Sequence, residues 1–166
     1  MTVGFFPKSS DAVISDCGRY RYTLSRWWDT SKPSLIFCML NPSTADATQD
    51  DPTIRRCISF AKREDRGGIA IINLFAFRAT DPDELRMQDD PFGPDNEQWI
   101  RHVIDGATAN QEPIVCAWGR NAPQSAKGRT LLLQSHVELL CLGTTASGEP
   151  RHPLYIPSTQ PLEHWR

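Results

Sequence analysis

Four short apolar runs, SLIFCML (34–40), GIAIINLFAF (68–77), PIVCAWG (113–119) and VELLCLG (137–143), constrain the fold more than any other feature. They are rich in Ile, Val, Leu and Phe and lack polar alternation, which suits strands buried on both faces of a parallel sheet. The segments between them read as helices. In DPTIRRCISFAKRE, Ile54, Cys57, Ile58 and Ala61 fall at i, i+3, i+4 and i+7 and share one face, with Asp51 placed to cap the helix and Pro52 to open it. GPDNEQWIRHVIDGA carries a similar stripe at Trp99, Ile100, Val103 and Ile104, whereas APQSAKGRTLLLQS is interrupted by Gly128. The alternation predicts right-handed crossovers and a three-layer α/β/α sandwich around a central four-stranded parallel sheet.

Ahead of these runs, CGRYRYTLSRWWD alternates around Tyr20, Tyr22 and Leu24, and with AVIS it reads as an N-terminal β-hairpin. The chain of 166 residues suits a single domain over 1–166. Within it, a hairpin at about 11–29 leads into an α/β core at about 34–157, and a Pro-rich tail at about 146–166 lies over that core. A hydrophobic share of 39% argues for a packed core rather than disorder.

Charge narrows the partners. The net charge of −2 lends no support to strong duplex binding, which usually needs a basic excess. Arg19, Arg21 and Arg26, then Arg55, Arg56, Lys62 and Arg63, form basic clusters that a solvated surface explains as readily as a binding face. The five cysteines are odd in number and contain no C-x-x-C, so neither a disulfide framework nor a four-cysteine metal site fits. No signal pattern opens the chain and no apolar run reaches membrane-spanning length. The expectation is a soluble cytoplasmic protein with no membrane partner, metal or cofactor.

In an open parallel sheet, ligands bind beyond the carboxyl ends of the strands. The residues there are Asn41, Pro42, Ser43, Thr44 and Asp46 after the first run, and Asn73, Phe75 and Arg78 at the end of the second. Trp118, Gly119, Arg120 and Asn121 end the third, and Thr144, Thr145, Arg151, His152 and Tyr155 follow the fourth. The set is polar, aromatic and poor in carboxylates. Plainer readings stand beside it: Asn41 as a turn residue before Pro42, His152 as a satisfied surface histidine, Trp118 as core. Asn73 inside an apolar run needs a partner, since an orphaned buried amide costs about 1–3 kcal/mol. The helix starting at Pro52 offers amide groups beside Ser43 and Thr44. No Gly-rich phosphate loop, nucleophile elbow or zinc motif is present. Asp46, Asp50 and Asp51 suggest Mg²⁺, but a capping role accounts for Asp51.

RYRYTLSRWW, MLNPSTAD, DDPTIRRCISFA, INLFAFRATDP, GPDN, AWG and GEPRHPLY occur in order between about residues 16 and 157. Together they resemble the bacterial family called domain of unknown function number 1643, whose name states no activity. A more distant resemblance is to the uracil-DNA glycosylase superfamily, carried by Asn41-Pro42, by Asn73 and by His152-Pro153-Leu154-Tyr155. That resemblance implies a four-stranded parallel sheet covered by helices on both faces, and a DNA-glycosylase-like hydrolase of N-glycosidic bonds. Asn41 would position a water and His152 would stabilise the departing base. Asn73 would read the base, Phe75 or Trp118 would stack on it, and Leu154 or Tyr155 would act as a wedge. Pro42, Ser43, Thr44, Asp46, Arg78 and Arg26 would complete the substrate surface. The sequence departs from that pattern where Met39 and Leu40 replace a glycine and Leu154-Tyr155 replaces Ser-Pro. Two other readings stay open: a non-catalytic module binding a nucleobase, nucleotide or DNA, and an interaction domain that has lost the site.

Overall fold

Every residue of the first apolar run is buried, on both of its alternating faces, and the sheet is organised around it. The computed structural model describes residues 10–166, so residues 1–9 of the single domain expected from the sequence lie outside the described residues. Its strands are β1 (Ser10–Ile14), β2 (Arg21–Trp27), β3 (Ser34–Met39), β4 (Gly68–Asn73), β5 (Ile114–Cys116), β6 (Leu139–Cys141) and β7 (Glu163–His164). Its helices are α1 (Pro52–Arg63), α2 (Asn96–Asn110) and α3 (Lys127–Gln134). The result is a mixed α/β architecture on a seven-stranded sheet of order β1-β2-β4-β3-β5-β6-β7. β3 pairs in parallel with β4 and β5, and β5 with β6.

Side chains alternate across a strand, so β3 feeds two cores. Ile36 and Cys38 join Ile72, Cys116 and Leu139 against Ile100, Val103 and Ile104 of α2 and Leu132 of α3. Leu35, Phe37 and Met39 join Ile69, Ile71 and Val115 against Ile54, Cys57, Phe60 and Ala61 of α1. Helices therefore cover both faces.

Local chemistry explains the helix ends. Asp51 Oδ1 accepts from Ile54 N at 2.9 Å, capping α1 with Pro52 in its first turn, and Lys62 and Arg63 sit in the last turn, where the dipole favours cations. α2 starts at Asn96, which is fully buried and donates its Nδ2 to the carbonyls of Asn73 at 3.1 Å and Leu74 at 3.3 Å. The amide thus ties the start of the helix to the end of β4. In α3, Gly128 is a close-approach residue: a Cβ there would stand 3.0 Å from Ile100 Cδ1 and 3.2 Å from Leu74 Cδ2. Its place in a short helix is a packing requirement rather than an interruption.

Four features differ from the sequence-based expectation. The hairpin is part of the sheet, because β2 pairs antiparallel with β4, and the tail supplies β7, which pairs antiparallel with β6. β4 stops at Asn73 rather than Phe77, since the chain turns there and Ala76 N takes the Phe92 carbonyl. The hairpin also contains a bulge. Val13 pairs with Thr23 but Ile14 with Arg21, leaving Tyr22 as the extra residue. One inserted residue reverses side-chain parity. Arg21 consequently falls on the α1 side of the sheet, where its Nη1 donates to the Ala45 carbonyl at 2.8 Å.

Phe37 is wholly buried between β3 and α1. Phe37→Ala is expected to lower stability by about 3–5 kcal/mol, measured as a fall in the urea midpoint at unchanged slope.

Candidate functional site

The chain leaves β3 through α1 to β4 on one side, and enters β5 on the other side of β3 by way of α2. The connections beyond β3 and β5 therefore diverge, and such a switch point opens a crevice at the strand ends. A cavity of about 790 Å³ occupies it. Its walls come from Met39–Asn41 with Ser43 and Thr44, from Asp51–Ile54 at the start of α1, and from Trp118–Asn121 after β5. Arg21, Thr80, Thr145, Arg151, His152, Leu154 and Tyr155 add to them.

Asn41 is half-buried, and its Nδ2 donates to the carbonyls of Pro42 and Ala79, each at 2.9 Å. With both donors engaged, Oδ1 is the group left to it, and it is an acceptor. His152 Nδ1 accepts from Leu154 N at 3.2 Å and opens a 3-10 turn at Pro153–Tyr155. Burial holds the imidazole below its ordinary value of 6.5, against the opposing pull of Asp51. The neutral ring thus carries its proton on Nε2. Leu154 and Tyr155 stand at the mouth, 36% and 79% exposed.

Trp118 is buried and committed. Its Nε1 donates to Glu149 Oε2 at 2.9 Å, and its ring meets Trp165 edge-on with centroids 5.0 Å apart. Arg129 reaches the same carboxylate at 2.5 Å and lies over both rings, while Gln124 Nε2 donates to Oε1 at 3.0 Å. Burial alone would raise the Glu149 carboxyl, but hydrogen bonds from Arg129, Trp118 and Gln124 outweigh it and hold it below the ordinary carboxylate value. This arrangement seats the loop carrying Arg151 and His152 against the end of β5, where Gly119 N also takes the Pro150 carbonyl at 2.8 Å.

The structure brings Asn41, Ser43, Thr44, Trp118, His152, Leu154 and Tyr155 to one cavity and leaves six other expected residues off its wall. Pro42 is buried, with its carbonyl used by Asn41 and by Ala79 N. Asp46 forms a turn, accepting from Thr48 N and Gln49 N, which pulls its carboxyl below the usual range. Arg26 fastens that same loop, pairing with Asp50 at 2.8 Å and donating to the carbonyls of Asp46 and Gln49. Arg78 reaches the Gly18 carbonyl at 3.4 Å, and its Nε is buried without a partner among the described residues. Asn73 is fully buried, and its side-chain amide has no hydrogen-bond partner among the described residues. Phe75 lines a second, apolar cavity of about 480 Å³ with Leu85, Pro91 and Phe92; it borders the first along Leu40, Pro82 and Asn121.

Several wall residues escaped the sequence reading as site groups, Thr53 and Thr80 among them, and the one charged side chain of these is Arg21, which is 1% exposed yet lines the cavity. Its signal would have been the bulge, which alternation conceals. No helix among the described residues is long and apolar enough to cross a membrane. Among the described residues no three His, Cys, Asp or Glu side chains cluster as metal ligands. Asp46, Asp50 and Asp51 are instead engaged by loop amides, by Arg26 and by the α1 cap.

A family model described as "Protein of unknown function (DUF1643)" matches residues 21–154. The chain belongs to the DUF1643 family. No curated protein and no solved structure matches it. The DUF1643 span runs from Arg21 to Leu154, and so contains every residue of the cavity wall except Tyr155.

Two outcomes follow for this DUF1643 protein. Glu149→Gln leaves Arg129 buried without its counter-charge and is expected to cost about 3–5 kcal/mol in denaturant unfolding. His152 is expected to titrate below 6.5 in an NMR pH series, with Nε2 protonated when neutral. Because the unfolded chain takes up that proton first, the stability His152 contributes is present above pH 6.5 and is lost as pH falls towards the folded value.

Proposed function

We propose that this protein binds a nucleotide-type ligand in the strand-end cavity and hydrolyses its N-glycosidic bond. The observation that carries the reading is that two complementary groups line one cavity: Asn41, whose amide hydrogens are engaged and whose Oδ1 is left to accept, and His152, whose Nδ1 is engaged and whose neutral ring is left to donate from Nε2. A volume of about 790 Å³ suits a ligand of nucleotide size. Support at the level of architecture comes from helices on both faces and from the parallel pairings β4-β3-β5-β6, in keeping with a three-layer, uracil-DNA-glycosylase-like sandwich.

In the reaction the bond from C1′ to the base nitrogen breaks and its electron pair leaves with the base. His152 Nε2–H hydrogen-bonds the negative charge developing there, a preorganised electrostatic contribution. Asn41 Oδ1 accepts from a water and aims it at the oxocarbenium-like C1′; as that water adds, it gives up one proton, which passes through solvent to the departed base anion and leaves the free sugar hydroxyl and the neutral base. An amide takes no proton at neutral pH, so Asn41 works by positioning rather than as a base. For a nucleotide within DNA, the base would have to leave the stack, with Leu154 or Tyr155 filling the gap. Asn73 and Phe75 lie off this wall, so reading of the base falls to groups bordering both cavities, of which Asn121 is the polar one.

One observation favours a second reading, binding without turnover: Asp51 is the sole carboxylate on the described wall, and its oxygens already serve Ala45 N and Ile54 N. Base release decides between them. Deaminated and alkylated bases are presented in DNA and as free nucleotides, and Asn41→Ala and His152→Ala are each expected to lower the turnover rate about 100-fold or more. Release by neither substrate form, or equal release by the variants, removes the catalytic reading.

A further inference from the structure

Arg21 is the largest charged side chain buried beside the cavity, and nothing in the proposed chemistry uses it. Its guanidinium donates once, from Nη1 to the Ala45 carbonyl, and its Nε has no partner among the described residues. Among the described residues no carboxylate is hydrogen-bonded to it. A buried cation normally recovers its lost hydration from a hydrogen-bonded counter-charge. Asp51, the acid whose charge acts on it, turns both oxygens to backbone amides at Ala45 and Ile54. Burial draws the guanidinium down to about 10, with Asp51 opposing and Arg78 and Arg26 assisting, so it remains charged at neutral pH.

The same wall holds the start of α1. Pro52 has no amide hydrogen, Ile54 N donates to Asp51 Oδ1, and Arg55 N donates to the Asp51 carbonyl. Thr53, with its amide and hydroxyl, is the first-turn residue left on the cavity wall. Ser43 and Thr44 stand beside it, and Arg151 adds a second, half-buried guanidinium. An under-partnered buried arginine, a helix N-terminus and hydroxyls around one space are the elements of an oxyanion site.

We infer that Arg21, Thr53 and the Ser43–Thr44 loop form a subsite for a phosphate group, which holds the phosphate end of the ligand while Asn41 and His152 face its sugar and base. The identity of the rest of the ligand rests on the nucleotide reading; the phosphate subsite itself does not. Charge-assisted hydrogen bonds from a fixed fork make Arg21 the dominant contact.

The probe is inorganic phosphate alone, with the whole chain. In wild type, millimolar phosphate is expected to raise the melting temperature and to shift the Arg21 Nε–H resonance. Arg21→Met, which keeps the side-chain volume, is expected to weaken phosphate binding by about 10- to 100-fold. Thr53→Val is expected to weaken it several-fold at unchanged circular dichroism, which keeps the test intact should Arg21→Met fail to fold. An Arg21 Nε–H resonance unmoved by phosphate overturns the subsite, as does unaltered affinity in a folded Arg21→Met. Base release without phosphate binding also overturns it, whereas phosphate binding without base release supports it and removes only the glycosidic reading.

Discussion

Two oppositely charged side chains, Arg129 and Glu149, meet where almost no water reaches them, and widely separated stretches of chain meet there with them. Trp118 comes from the end of β5, Gln124 and Arg129 from the region of α3, Glu149 from the loop after β6, and Trp165 from beside β7. β5 and β6 are only three residues long, so their ladders alone are poor anchors for the loops beyond them. The carboxylate makes up the difference by accepting from three donors, the condition under which a buried pair offsets its desolvation. The loop it fixes is the one that brings His152 over the cavity.

A second dependence runs through the hairpin. Its pairing with β4 widens the sheet on the far side of β4 from β3, and the extra residue at Tyr22 rotates Arg21 out of the parity its neighbours obey. Leu24 and Ile71 then share the α1-side core, while Arg21 enters the polar space at the same side's edge. A local irregularity in two strands thus decides which charge the cavity holds.

The alternating α/β character was legible in the four apolar runs, and the start of α1 in Asp51-Pro52, because burial on both faces and helix capping are local properties of composition. Asn41, Ser43, Thr44, Trp118 and His152 were legible as cavity residues from the strand-end rule, which depends only on where runs stop. Arg21 was not, because a bulge breaks the alternation from which facing is inferred. Asn73 follows the rule by position but lies beneath the wall, and Phe75 was displaced into the apolar neighbour when β4 ended early. Arg26 looks like any site arginine in a sequence; only its ties to Asp50 and to loop carbonyls show that it braces the loop from behind. The Glu149 network joins residues too distant in sequence for any periodicity to link, and β7 is too short to leave a pattern.

The cavity draws its walls from the hairpin, from the β3–α1 loop, from the end of β5 and from the turn after β6. Arg21 and His152, which face the same space, are thus separated by most of the described chain. No fragment containing only one of these segments can present the site, and the site comes into being with the last long-range contacts to form. A ligand seated there binds the finished fold and none of its partial forms, so it shifts the folding equilibrium by mass action. It would work as a clasp, fastening the hairpin to the turn after β6 across a sheet in which they are not neighbours.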